Sequence, residues 1–205
     1  MSADAAVYVV DDDPALRESL GYLLRSEGLT VRSFEGARQF LAEYDRDARG
    51  CIVVDVRMPE MNGLQLQEHL AAEGCTLPII VITGHGDVPM AVKALQNGAL
   101  DFIEKPFADQ QLVDRVYEAL DVERRRYRER AEREDILRRL GRLTKREREV
   151  MAGVAAGKAN KMIAEELGVS PKTVEVHRAH VMQKLEVDSL AQLLRLTVLH
   201  ERYGT

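Results

Sequence analysis

Four short stretches of the 205-residue chain end in side chains that together could handle a phosphoryl group. VYVVDDD places Asp11 and Asp12 behind an apolar run, and CIVVDVRMP does the same for Asp55. PIIVITGHG runs into Thr83, and DFIEKPF into Lys105. Carboxylates brought to one place repel one another and raise one another's pKa. A hard divalent cation resolves that repulsion, and Mg²⁺ favours one or two carboxylates, waters and a substrate phosphate oxygen. Such an ion also offsets charge while a carboxylate attacks phosphorus, and aspartyl phosphate is an established covalent form. The Thr83 hydroxyl can bond a phosphate oxygen, and the Lys105 ammonium can pair with the same group. Lys105-Pro106 is a candidate cis bond that would fix the direction of the lysine.

These residues converge only if the segments before them are neighbouring strands. The apolar runs are Ala6 to Val10, Thr30 to Phe34, Cys51 to Val54, Pro78 to Ile82 and Leu100 to Ile103. Several are Val/Ile-rich with little alternation, which fits strands covered on both faces. Helical patterns lie between them at Pro14 to Ser26, Ala37 to Tyr44, Gly63 to Glu73, Val88 to Gln96 and from Asp109 onward. Five strand–helix units in about 120 residues predict an α/β fold, a five-stranded doubly wound parallel sheet in the flavodoxin-like order. In that order the first and third strands are adjacent, so Asp11, Asp12 and Asp55 gather at the carboxyl edge. Asp13 is expected to cap the first helix, with Pro14 in its first turn.

With those positions in hand, residues 5 to 122 resemble the receiver domain of bacterial response regulators. The resemblance implies that Asp55 is the phosphoacceptor and that Asp11 and Asp12 hold Mg²⁺, with the Arg57 backbone carbonyl as a further ligand. It implies that Thr83 and Phe102 are a switch pair and that Lys105 contacts the phosphate. Arg57 and His85 occupy positions that, in the family, influence how long the phosphoryl group survives; His85 is read as a pocket-rim side chain. The competing reading is a Mg²⁺-dependent phosphohydrolase with Asp55 as nucleophile. Such enzymes usually carry a second Asp two residues later, where this chain has Arg57. A further rival is a DNA binder whose receiver is only a dimerisation scaffold; the acid–Thr–Lys set argues against it.

From Leu143 the pattern is wholly helical. Thr144 and Glu147 form a capping box, Gly157 stops that helix, and Asn160 is expected to cap the next. Gly168 breaks the chain, Ser170 and Pro171 open another helix, and a last helix is expected near Leu190 to His200. This is a small all-α four-helix domain, and its middle pair has helix-turn-helix spacing. LTKREREV and GKANKMIAEELGVSPKTVEVHRAHVMQKL resemble the helix-turn-helix of LuxR-type regulators. With the receiver, this matches the FixJ/NarL group, and TGHGDVPMAVKA and EVHRAHVMQKL lean towards its FixJ branch.

The second helix of such a motif enters the major groove of double-stranded DNA with its N-terminal part near the bases. Glu175 and Val176 are expected nearest the bases, and Lys172, Thr173 and Arg178 mostly on phosphates. Asn160 and Lys161 are expected to touch the backbone through a helix N-terminus. Some relatives carry lysines where this chain has Glu175 and Ala179, so their operator preference does not transfer. Glu175 favours a cytosine N4 donor or else orients Arg178. His177 and His180 are spaced i, i+3, which could suit a metal; with no third ligand nearby in sequence they are read as packing or phosphate-contact residues.

The charge agrees with two jobs. The net charge of −5 conceals an acidic first part, where residues 1 to 122 carry 10 Lys+Arg against 21 Asp+Glu, and a basic remainder with 19 against 13. The basic part suits phosphate-backbone contact. The expected domains are 1–122 (receiver), 123–142 (charged helical linker) and 143–205 (helix-turn-helix). Val113, Val116, Leu120 and Tyr127 form an apolar stripe that could pair with another subunit or belong to an exposed tether. No run approaches ~18 apolar residues, and the N-terminus lacks a basic n-region, so a cytoplasmic protein without membrane contact is expected. Cys51 and Cys75 are read as reduced core thiols. The chain is expected to be a transcription factor rather than an enzyme. Its expected partners are a sensor histidine kinase, DNA, RNA polymerase and a second copy of itself on phosphorylation.

Overall fold

The computed structural model describes residues 5–84 and 88–203, with the backbone alone at 88, 91 and 200–203. The chain divides into two compact units, Met1–Arg126 and Tyr127–Thr205. In the first, strands β1 (Ala6–Val10), β2 (Thr30–Phe34), β3 (Gly50–Asp55), β4 (Ile79–Thr83) and β5 (Asp101–Glu104) alternate with helices. The helices are α1 (Pro14–Ser26), α2 (Ala37–Glu43), α3 (Gly63–Ala72), α4 (Val88–Gln96) and α5 (Asp109–Gly141). The strands form one sheet in the order β2-β1-β3-β4-β5, and every pair is parallel.

The doubly wound arrangement follows from the near-continuous apolar strands. Alternate residues of one strand point to opposite faces. Val10, Ile52, Val54 and Val81 pack with Phe34, Phe40, Leu66, Leu70 and Ala94 on the α2, α3 and α4 side. Val7, Val9, Val53, Ile80 and Ile82 pack with Leu20, Leu24, Leu112 and Val116 on the α1 and α5 side. β1, β3 and β4 are buried along their whole length. Fully burying one such Val or Ile stabilises the fold by roughly 1.5–3 kcal/mol.

One expectation is corrected here. Val113 and Val116 are buried at 3% and 0% exposure, and Leu120 packs against the same cluster. The stripe on α5 is therefore sheet-covering core and cannot serve a partner subunit. Tyr127, the fourth member, is 42% exposed.

The second unit contains the last part of α5 and helices α6 (Lys145–Ala155), α7 (Asn160–Leu167), α8 (Pro171–Leu185) and α9 (Leu190–Tyr203). Their core gathers Ile136, Leu140, Val150, Ile163, Val174, Val181, Leu185 and Leu193. Thr144 and Glu147 close the expected capping box at α6, and the Ser170 hydroxyl accepts from the Thr173 amide at α8. Gly168 ends α7 at φ 65°, a left-handed conformation that costs a side-chain-bearing residue roughly 1–2 kcal/mol. Asn160 departs from its expected role. It is the first helical residue of α7, the cap position is Ala159, and no side chain caps the helix.

Candidate functional site

The carboxyl edge of the sheet is where the chemistry-bearing side chains meet. β1 and β3 are in register, with Val10 opposite Val54. The residues that follow, Asp11 and Asp55, therefore leave adjacent strands side by side. Asp11 is 2% exposed and Asp55 6%. Each carboxylate is oriented by a backbone amide two residues on: Asp13 N–H donates to Asp11 Oδ1 at 2.8 Å and Arg57 N–H to Asp55 Oδ2 at 2.6 Å. Asp12 follows Asp11 in the chain and is exposed. Asp13 turns to α1, where its side chain caps Ala15 and Leu16.

Lys105 reaches this pair from the end of β5. Its backbone amide donates to the Thr83 carbonyl at 2.8 Å, and the Lys105-Pro106 bond is cis. Its ammonium donates to Asp55 Oδ1 in a short contact and lies 3.3 Å from Asp11 Oδ2. Burial pushes the Asp11 carboxyl up, and the Asp13 amide and the Lys105 charge offset this only in part. Burial pulls the Lys105 ammonium down, but hydrogen bonding and charge from Asp55, then Asp11, outweigh it and raise its pKa. Both shifts are consistent: the ammonium is held by two acids, while Asp11 remains costly to ionise so far from water.

Thr83 is buried at 2% exposure, with its hydroxyl 3.4 Å from the Gly84 carbonyl. Phe102 is half-buried and packs against the α2–α3–α4 side of the core. Arg57 is exposed. His85 lies outside the described residues. The cluster offers hard oxygen donors from Asp11 and Asp55, with Asp12 exposed at the next position of the chain, and Asp11 is short of charge compensation. That donor set fits a hard cation such as Mg²⁺ better than a soft metal.

Two contributors were missed in the sequence. Arg17, one turn into α1, donates to the Asp11 carbonyl at 2.6 Å and secures the loop carrying the acids. Gly63, first residue of α3, donates its amide to the Val56 carbonyl at 3.0 Å, and a Cβ there would collide with the Asp55 carbonyl oxygen. The Asn62-Gly63 step at a helix start was the available signal, since an Asn cap followed by Gly marks a close backbone approach.

In the second unit, α8 exposes Lys172, Glu175 and Val176, whereas Thr173 and Arg178 are half-buried. Lys161, in the first turn of α7, is exposed. Glu175 does not orient Arg178; it lies 3.4 Å from Lys172. Arg178 instead donates to Asn160 Oδ1 at 2.7 Å. The expectation that His177 and His180 lack a third ligand is also corrected, because Glu147 of α6 stands with them.

Comparison with known proteins agrees with this geometry. Residues 7–117 match the response regulator receiver domain, and residues 141–197 match the luxR family of bacterial regulatory proteins. Transcriptional regulatory protein FixJ of Bradyrhizobium diazoefficiens is 43% identical, over 97% of each chain. Its namesake in Azorhizobium caulinodans is 46% identical, over 97% of this chain and 94% of that one. The low-resolution structure of the response regulator StyR superposes with a TM-score of 0.92 at 43% identity, covering 98% of this chain and 100% of that one. Receiver domains of this kind are not enzymes beyond their own phosphorylation and dephosphorylation. The chain belongs to the FixJ/NarL group of response regulators, on the FixJ branch, with a receiver domain followed by a LuxR-type helix-turn-helix domain.

Proposed function

We propose that this chain is a phosphorylation-controlled transcriptional regulator that accepts a phosphoryl group on Asp55 from a sensor histidine kinase, dimerises and binds promoter DNA. Residues 1–122 act as the phosphoacceptor domain, 123–142 as a charged helical linker and 143–205 as the DNA-binding domain. The observation that carries the reading is the Lys105 ammonium bridging the buried carboxylates of Asp55 and Asp11. A fixed cation beside an aspartate at the carboxyl edge of the sheet prepares a place for phosphate oxygens.

Asp11, Asp12, Asp55 and the Arg57 carbonyl would hold Mg²⁺, which when bound offsets the charge of the phosphoryl oxygens. An Asp55 oxygen forms the new bond to phosphorus as the bond from phosphorus to the donor imidazole breaks. The product adds roughly −1.5 to −2 charges and strong acceptor oxygens. Lys105 follows the new charge, the Thr83 hydroxyl turns towards it, and Phe102 fills the space Thr83 leaves. This biases the face built from α4, β5 and α5, where Val92 and Leu95 are 46% and 39% exposed and Asp101 pairs with Arg115 at 2.8 Å. Two copies joined there present two α8 helices to two half-sites, which strengthens binding without new base contacts.

On DNA, Glu175 and Val176 lie nearest the bases. Lys172, Thr173 and Arg178 contact phosphates, and Asn160 and Lys161 approach the backbone. Recruitment of RNA polymerase and action in the cytoplasm complete the reading. No helix among the described residues is long and apolar enough to cross a membrane.

The test uses acetyl phosphate with Mg²⁺, followed by phosphate-affinity electrophoresis and sedimentation. Wild-type protein is expected to become phosphorylated and dimeric, and Asp55→Asn to do neither. Dimerisation of Asp55→Asn by acetyl phosphate overturns the reading.

A further inference from the structure

We propose that Glu147, His177 and His180 form a zinc-class metal site that ties α6 to α8, the helix carrying the DNA-contact residues. One potential ligand atom from each of the three lies within 4.8 Å of the other two. Two come from successive turns of α8 and the third from α6, so the cluster exists only in the folded unit.

The carboxylate is already oriented for this. Both fixed donors use a single oxygen: Thr144 N–H and Lys184 Nζ each lie 2.7 Å from Glu147 Oε2. The Lys184 hydrogen bond, then the Thr144 amide, hold the Glu147 carboxyl down to about 2, so it is an anion at neutral pH. Oε1 is left facing His180 Nδ1 at 3.8 Å, too far for a hydrogen bond. In His177, Nδ1 is buried without a hydrogen-bond partner among the described residues. A buried ring nitrogen in that state is costly, and an ion coordinated by it would remove that cost.

The geometry and donor chemistry select the metal. Two imidazoles and one carboxylate suit zinc better than Mg²⁺. Ligand bonds of about 2.0–2.2 Å in a tetrahedron separate the donor atoms by about 3.4 Å. The Glu147–His180 separation is near that already, and His180, with a side chain 53% exposed, can close the rest by rotation. Its open side leaves the fourth position to water. Thr144 and Lys184 on Oε2 play the part of groups that hydrogen-bond a ligating carboxylate and fix its direction. The Lys184 charge opposes the ion, so affinity in the micromolar range is expected rather than that of a closed cysteine site.

The test is titration of the untagged full-length protein with Co²⁺ and with Zn²⁺, in excess Mg²⁺ to hold the acidic cluster of the receiver. Wild-type protein is expected to bind one equivalent, to show the intense visible absorption of four-coordinate Co²⁺, and to melt at higher temperature with Zn²⁺. His180→Ala and His180→Gln, at a half-exposed position, are expected to keep the wild-type circular dichroism. Both should lose the absorption and bind Zn²⁺ at least about tenfold more weakly. His69→Ala, in α3, is expected to behave as wild type. Absence of the four-coordinate spectrum in wild type, or equal Zn²⁺ binding by both His180 variants, overturns the proposal.

Discussion

Asn160 Oδ1 accepts a 2.7 Å hydrogen bond from Arg178, so the first residue of α7 holds a guanidinium of α8. The contact crosses the helix-turn-helix and replaces both the capping role expected of Asn160 and the Glu175–Arg178 pairing. It fixes the direction of the Arg178 side chain, which under the proposed function faces a duplex.

Asn160→Ala is therefore expected to weaken DNA binding by about tenfold, the equivalent of one hydrogen bond to a charged group at roughly 1.5 kcal/mol. Because Arg178 is assigned to phosphate, the loss should be similar on operator and random duplexes. Fluorescence anisotropy at one fixed salt concentration, with both duplexes, measures it. A loss confined to the operator would show that Asn160 holds Arg178 towards base edges and not towards phosphates.

Under the proposed function, Lys105 prepares the acidic cluster for phosphate and is expected to compete there with a divalent cation, because its ammonium already pairs with Asp11 and Asp55. In Lys105→Met, Asp11 and Asp55 lose the ammonium that lies between them. Unphosphorylated Lys105→Met is expected to bind Mg²⁺ several-fold more tightly than wild type. Its phosphate-driven dimerisation should fall about tenfold or more, through loss of one charge-assisted hydrogen bond. Isothermal titration with Mg²⁺ and sedimentation after acetyl phosphate treatment separate the two effects. Unchanged Mg²⁺ affinity would show that the ammonium does not compete.

Gly63 is expected to tolerate no side chain. In Gly63→Ala the new Cβ meets the Asp55 carbonyl oxygen and crowds Val54 Cγ2 at 3.2 Å. Overpacking of this kind costs about 1–3 kcal/mol, read as a lowered urea midpoint. Because the strain falls on the backbone of Asp55, the proposed phosphoacceptor, the rate of phosphorylation by acetyl phosphate should drop even under conditions where the variant remains folded. A wild-type midpoint would mean that α3 shifts without cost.

Cys51 lies in β3 at 0% exposure. Burial, then the nearby Glu123 charge, pushes its thiol up to about 12. A raised thiol pKa favours the protonated form, so at pH 8 about one molecule in ten thousand carries the thiolate. Cys75 is only partly buried. Iodoacetamide at pH 8 is expected to modify Cys75 alone in the folded protein and both thiols in urea, as read by peptide mass spectrometry. Rapid labelling of Cys51 without denaturant would show that β3 opens readily.

The receiver was largely legible because its signals are local. Apolar runs ending in Asp11, Asp55 and Thr83 mark strand exits, and strand burial on both faces follows from unbroken Val and Ile. The caps at Asp13, Thr144 and Ser170 lie within three residues of the amides they serve. Other readings failed where one pattern serves two environments. An apolar stripe on α5 looks the same whether it covers a sheet or a partner, and Val113 and Val116 proved to cover the sheet. Asn160 has the side chain of a cap, but a distant guanidinium competes successfully for its oxygen. The two histidines gained Glu147 across 30 and 33 positions of chain, a distance over which periodicity carries no information.

Sequence alone determined the α/β class, the order of elements, the helix-turn-helix and the identity of the acids at the strand ends. Each rests on short-range sterics, hydrophobic spacing or a recognisable motif. Tertiary structure decided which side chains share a hydrogen bond: Lys105 with both carboxylates, Arg178 with Asn160, and Lys184 with Glu147. The physical reason is that such contacts depend on how packed elements meet in space, and ångström-scale differences there choose among partners that the sequence leaves equally available.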